Sequence, residues 1–416
     1  MEPADEIPAR RSRPLAALSH RDFRLFWIGQ CVSLIGTWMQ SVGQSWLVLE
    51  LTNSPFRLGL VNALQFTPTL FLSLVAGAVA DRFPKRRLLL ITQSVLMLLA
   101  FTLGLLAWAK AVRYWHVVLL ATLLGLTNTF DVPIRQSFVV EMVGRDDLMN
   151  AIALNSAIFN TARIVGPALA GLTVGVFGVP SAFLFNGLSF VAVITALVFV
   201  RAEGRPSGGP KHGMWQEIRE GLSYIRRTPI VLMIIGLIGF VATFALNFNV
   251  LVPVLSKQTL GQGAAGFGFL MSAVGVGALT GALSLAFLSH QGPRLNLILI
   301  GALLLSSLEI AMWWVRWYPL AVLILFAIGW SMITCSATSN STVQVMVPDH
   351  LRGRVMSVYF LVFGGTTPIG GLFAGSVSDL WGANAGFAAG GTVSLIGTLS
   401  LLLWWRRRAA ASPKRP

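Results

Sequence analysis

Apolar runs of about 20 residues, long enough to cross a bilayer core as a helix, recur along the whole chain between short polar connections. They predict twelve spanning helices. Six lie at 25–49, 57–80, 88–109, 115–140, 149–176 and 181–200, and six at 230–255, 265–289, 295–315, 318–346, 354–378 and 384–405. Hydrocarbon offers no water to backbone amides, so each run must be helical or belong to a closed barrel. Barrel strands would alternate over segments of about ten residues, whereas these runs are longer and rich in Leu, Ala and Gly. The pattern is that of an all-α integral membrane protein.

The polar residues inside the runs are patterned too. Gln30, Ser33, Thr37, Gln40 and Gln44 share one face of the first span, and Asn62, Gln65, Thr69 and Ser73 one face of the second. Thr127, Asn128, Asp131 and Arg135 do the same in the fourth, and Ser156, Asn160 and Arg163 in the fifth. Thr243 and Asn247 lie together in the seventh; Ser331, Thr334, Thr338 and Ser341 line the tenth. Amides facing lipid are costly. These faces therefore look inward, to a polar pathway or to hydrogen bonds between helices.

Asp131, Arg135 and Arg163 lie within spans, where an unpaired charge costs at least about 2.5–3.5 kcal/mol. Asp131 and Arg135 are four apart and can pair along one helix. Arg163 needs an acid, and Asp131 of the neighbouring span is its expected partner. Either Asp131 couples protons to movement, releasing an Arg when protonated, or the group is a permanent structural ion pair. Glu309, in the ninth span, is the weaker coupling candidate; it stays protonated or reaches the outer interface.

Composition sharpens the picture. Of the residues 55% are hydrophobic and 11% charged, against about 25% charged in soluble domains. The net charge of +15 does not mark a nucleic-acid partner, because basic residues fall on alternate connections rather than on a patch interleaved with stacking aromatics. Of the 31 Lys and Arg, 24 fall on the side holding both chain ends, 5 on the other and 2 inside spans. By the positive-inside rule both termini are expected to be cytoplasmic, and an even number of spans agrees. Cys31 and Cys335 are isolated and the five histidines scattered, so neither a metal site nor a cofactor is expected. No phosphate-binding G-x-x-x-x-G-K-[ST] occurs, and Gly275 and Gly277 follow no strand. Neither an ATP motor nor an enzyme is expected.

The chain divides into a tail (1–24), a six-helix bundle (25–200), a linker (201–229), a second bundle (230–405) and a basic tail (406–416). The linker opens with GRPSGGP and continues with Trp215, Ile218, Leu222 and Ile225 at helical spacing, the pattern of an amphipathic helix on the membrane surface. An internal repeat supports the division: QSFVVEMVGRDDL with Pro167 following matches NSTVQVMVPDHL with Pro368 following.

The segment GAVADRFPKRR, Gly77 to Arg87, resembles the second-to-third-span loop of the major facilitator superfamily through Gly77, Ala80, Asp81, Arg82, Lys85 and Arg86. Pro84 departs from that pattern, where a second glycine is usual. The resemblance implies that Gly77 permits close helix contact, that Asp81 meets the N-terminal dipole of the eleventh span, and that Arg82 pairs with an acid ending the fourth span, for which Glu141 is the candidate. RDDLMNAIALNSAIFNTARIVGPALAG (145–171), DVPIRQSFVVEMV (131–143) and DHLRGRVMSV (349–358) resemble the enterobactin-exporter branch of the superfamily. GPALAG is loosely similar to a drug/proton antiporter motif, with Ala170 where glycine is typical. The resemblance implies two pseudo-symmetric six-helix bundles around a cavity lined by spans one, four, seven and ten. It further implies proton-coupled export of a siderophore- or drug-like amphipathic molecule by a lipid-embedded monomer. Nutrient import by proton symport, and a transport-inactive sensor or scaffold, are the alternatives.

Overall fold

The computed structural model describes residues 15–204, 214–288 and 295–411. Every expected span is helical over most of its described residues, and no strand occurs among them. The first six spans are α1 (Arg21–Thr52), α2 (Pro55–Arg82), α3 (Lys85–Trp108), α4 (Tyr114–Val143), α5 (Leu148–Phe177) and α6 (Pro180–Phe199). After α7 (Met214–Arg227) come α8 (Pro229–Phe240), α9 (Phe248–Val254), α10 (Ala264–Leu288), α11 (Leu295–Ala311), α12 (Tyr318–Met346), α13 (Asp349–Gly365), α14 (Thr367–Trp381) and α15 (Ala383–Ala411).

With Pro229–Thr259 and Asp349–Trp381 each taken as one continuous run, ten segments among the described residues are long and apolar enough to cross a membrane, and α2 makes eleven when its arms Pro55–Ser73 and Val75–Arg82, meeting at 61°, count as one. The twelfth expected span, α1, has 32 residues, ample length at about 1.5 Å per residue. Its polar stripe is what lowers its hydropathy.

Two spans that the sequence reads as unbroken are interrupted. The seventh runs through α8, a π turn at Val241–Ala245, α9 and a second π turn at Leu255–Thr259. At the break Asn247 Nδ2 donates to the carbonyls of Thr243 (2.8 Å) and Phe244 (3.2 Å), satisfying groups that the helix leaves open. The eleventh span breaks at Thr366, where Pro368 in the first turn of α14 cannot continue the ladder from α13.

Helices α1 to α6 pack on one another, as do α8 to α15, and the two sets meet chiefly along α2 against α14 and α5 against α10. The N-terminus of α1, the C-terminus of α15 and the α2–α3, α4–α5 and α12–α13 connections share one face, called terminal below; the α1–α2 and α14–α15 connections lie on the distal face. The GRPSGGP stretch falls almost wholly outside the described residues. The helix after it, α7, docks on α13: Ile225 is buried, Glu220 pairs with Arg354, and a Cβ at Gly221 would lie 2.8 Å from the Arg354 carbonyl.

Candidate substrate pathway and its gates

The α1 stripe faces the interior. Gln30, Ser33, Thr37, Gln40 and Gln44, with Gln65, Asn128 and Arg135, line a cavity of about 270 Å³. A second volume of about 590 Å³ shares Phe66, Thr69, Asn128 and Asn249 with the first and adds Asn62, Ser73, Gln136, Asn247 and Phe363. Each is of the order of a drug-sized site. The amides also bind one another: Gln44 donates to Gln65 (2.7 Å) and Asn186 donates to Gln40 (2.6 Å). The stripe thus both borders a cavity and hydrogen-bonds to neighbouring helices. Trp38 and Phe159, edge to face at 5.8 Å, place aromatic surface beside the amides.

Several expected residues do not line either volume. Thr243, Asn160 and Thr334 return their polar groups to the carbonyls of Gly239 (2.7 Å), Ser156 (2.8 Å) and Trp330 (2.8 Å) on their own helices. Helix-face counting overlooks this local bonding, which satisfies a polar side chain without a cavity. Thr338 Oγ1 is buried without a partner among the described residues, and the tenth-span helix α12 lies against α10 and α11. Conversely Gln93, Asn186 and Asn249 line the first cavity; none of the three belongs to a stripe read from the sequence.

Asp131 is fully buried just behind the cavity wall. Its carboxylate accepts from Thr92 and Gln93 of α3, both at 2.7 Å, and pairs with Arg135, whose Nη1 donates to Gln30 of α1 at 3.0 Å. The cluster ties α1, α3 and α4 together and exposes one cation to the cavity. The expected Arg163–Asp131 pair is not formed. The carboxylate is already saturated, Arg163 Nη2 is buried without a partner among the described residues, and the Arg163 carbonyl lies under Gly275 of α10.

The two halves are sealed distally. Asp379 of α14 accepts from Ser54 Oγ (2.7 Å) and from the Phe56 amide (3.1 Å), so it caps the N-terminus of α2 across the interface. A Cβ at Gly59 would lie 2.3 Å from the Gly371 carbonyl, and one at Gly268 would lie 2.3 Å from the Pro167 carbonyl; the backbones meet where side chains cannot fit. Lys257 donates to the Leu49 carbonyl at 2.7 Å, and Trp46 stacks on Phe267 at 6.1 Å.

The terminal side is open. Added Cβ atoms at Gly77, Gly353 and Gly364 would meet nothing within 4 Å, and α2 touches α13 only sparsely. The contacts expected of Gly77 and Asp81 with the eleventh span are consequently not made in this conformation. Glu141 pairs with buried Lys85 at 2.5 Å rather than with Arg82, which is exposed. Lys85 opens α3 beside the end of α4, whereas Arg82 closes α2 on its open side. Arg86 donates to the carbonyls of Leu197 (2.8 Å) and Val198 (2.6 Å), capping α6. The sequence did carry a signal for the distal latch: Gly375-Ser-Val-Ser-Asp379 repeats the G-x-V-x-D spacing of Gly77-Ala-Val-Ala-Asp81. Thus α2 and α14 each end in an Asp, at opposite faces.

A narrow, amide-lined central chamber, open at one face and latched at the other between two six-helix halves, is a transporter architecture, and comparison with known proteins agrees. The chain is 25% identical over 370 residues to the staphyloferrin A transporter of Staphylococcus aureus, covering 86% of this chain and 90% of that one. It is 28% identical over 366 residues to the multidrug efflux pump Tap of Mycolicibacterium fortuitum, covering 85% and 88%. It is 24% identical over 387 residues to the enterobactin exporter EntS of Shigella boydii, covering 92% of each. The nucleoside transporter NupG shares the fold, with a TM-score of 0.70 at 13% identity over 94% of this chain and 98% of that one. Residues 12–413 match the family model of transmembrane secretion effectors. The chain belongs to that family of the major facilitator superfamily and is a multi-pass membrane transporter of small molecules.

Proposed function

We propose that this transporter exports an amphipathic, siderophore- or drug-like molecule in exchange for protons, by alternating access, as a monomer in a bacterial inner membrane with both termini cytoplasmic. The observation that carries the reading is the chamber itself. Amide and aromatic side chains of α1, α2, α4 and α5 surround it, a lining that suits a ligand with both polar and apolar surface. The basic excess of the terminal connections supports a cytoplasmic position for the open face, in which this conformation is ready to take up a cytoplasmic molecule. The enterobactin exporter and the multidrug efflux pump among the relatives support the same direction.

In this mechanism the two bundles, 25–200 and 230–405, rock about the α2–α14 and α5–α10 contacts, with 201–229 as the tether. Protonation of Asp131 removes the charge that holds Arg135, freeing the guanidinium to swing between Gln30 and the chamber. The buried carboxylate reaches the chamber only through Arg135 and Gln93, so proton occupancy is felt there as the position of a cation.

The test is accumulation of ethidium and of a catecholate siderophore in cells expressing wild type or Asp131→Asn, before and after collapse of the proton gradient. Wild type should lower accumulation of at least one compound only while the gradient stands, and the variant should not. Export that survives gradient collapse would refute proton coupling. Uptake in place of export would favour symport.

A further inference from the structure

The broken seventh span borders a second carboxyl group that the Asp131 cluster does not involve. Glu309 of α11 is wholly buried, and neither carboxyl oxygen has a hydrogen-bond partner among the described residues. It does not extend to the outer interface, one of the two expectations from sequence. Two glycines of α15 make its seat: a Cβ at Gly391 would lie 2.8 Å from Glu309 Cβ, and one at Gly390 would lie 3.7 Å from Oε2.

The same Gly390 position would be 2.3 Å from the Phe244 carbonyl. The space in front of this glycine therefore adjoins both the carboxyl group and the π turn. The Phe244 carbonyl is in turn bonded by Asn247 Nδ2 at 3.2 Å, and Asn247 lines the chamber. A single amide thus stands between the chamber and the surroundings of Glu309. Among the described residues no compensating charge faces the group. Its own helix carries no other titratable residue, the seventh span has none from 229 to 254, and α15 has none before Arg406. On α12, Tyr318 donates to the Gly266 carbonyl, and Cys335 lies against Gly301, more than two turns from Glu309.

An ionised carboxylate without a partner in such a place is strongly disfavoured, so the group holds its proton here. Single π turns concentrate at functional sites, and broken spans near mid-membrane are where transporters hold coupling ions. We propose that Glu309 is a proton-binding site of the C-terminal half, loaded in this conformation and unloaded through the Thr243–Asn247 break when a ligand in the chamber draws Asn247 away from Phe244. The O–H bond of the carboxyl group breaks, the proton passes to chamber water, and the carboxylate is left hydrated. The inference deepens the proton-coupled reading and rests on it for the direction of exchange.

The experiment needs no known substrate. Infrared spectra of purified protein in nanodiscs are recorded for wild type, Glu309→Gln, Glu309→Asp and Asp131→Asn at alkaline pH. The C=O stretch of a protonated carboxyl should be lost in Glu309→Gln and kept in Asp131→Asn and Glu309→Asp. In parallel, an Asn249→Cys reporter, with Cys31 and Cys335 replaced by Ser, is labelled from outside by an impermeant maleimide across a pH series. With each rate divided by that of a free thiol at the same pH, because the thiolate is the reacting form, wild type and Glu309→Asp should show a pH-dependent ratio, and Glu309→Gln a flat one. A carboxyl band that survives in Glu309→Gln, or an unchanged pH profile, overturns the proposal. If that profile flattens but neither ethidium nor the siderophore moves, the export reading fails and the proton site stands. If export is proton-coupled and Glu309→Gln behaves as wild type throughout, the site fails and export stands.

Discussion

The distal latch gives the most direct access to the mechanism. Asp379 makes two hydrogen bonds across the halves, at 2.7 and 3.1 Å, and both end on the first turn of α2. Losing an N-cap acceptor costs about 0.5–2 kcal/mol. Asp379 is exposed, so water and salt weaken the helix-dipole part of that sum. A cost of about 0.5–2 kcal/mol, borne only while the distal face is shut, corresponds to a factor of about 2–30 in the equilibrium between the two conformations. Asp379→Ala should raise external maleimide labelling of the Asn249→Cys reporter about 2–30-fold without lowering the thermal midpoint comparably. Asp379→Asn keeps an acceptor oxygen and should fall between. No hydrogen bond or ion pair joins Asp81 to the eleventh span in this conformation, and α2 touches α13 only sparsely, so Asp81→Ala should act oppositely, penalising only the distally open state. Unchanged or slower labelling in Asp379→Ala would refute the idea that this cap holds the distal face closed.

Three further outcomes are expected. Gly59→Ala puts a methyl group 2.3 Å from a backbone carbonyl of the other half, which must give way; external labelling should rise even with Asp379 intact. Trp38→Ala removes the edge-to-face contact with Phe159, worth about 0.5–1.5 kcal/mol; the apparent affinity for an aromatic dye should fall by up to about tenfold, read from the concentration dependence of efflux. Asp131→Ala strands Arg135 in the interior, and breaking such a pair costs about 3–5 kcal/mol. The thermal midpoint should drop by several degrees, and the double variant with Arg135→Met should recover most of the loss without recovering transport.

The helices were legible because their cause is local. Hydrocarbon leaves a backbone no hydrogen-bonding option but its own, so run length and apolarity decide where a span lies, whatever it packs against. The α1 stripe was legible for the same reason, since five polar residues on one face cannot all look at lipid. The interruptions at Asn247 and Thr366 were not, because an amide that bonds two carbonyls and a proline tolerated in a first turn depend on neighbouring backbone.

Partner choice was decided by tertiary structure. Asp131 selects Arg135, Thr92 and Gln93 over Arg163, and Glu141 selects Lys85 over Arg82, because a charge-assisted bond requires contact distance and sequence order says little about which of several cations arrives there. Thr334 and Asn160 fell on promising faces yet satisfied themselves on their own helices. The open and latched faces lay furthest from the sequence, which holds Asp81 and Asp379 in the same spacing. Only the tilt of one half against the other determines which of them finds a helix end, and that tilt sums many weak contacts between segments far apart in the chain.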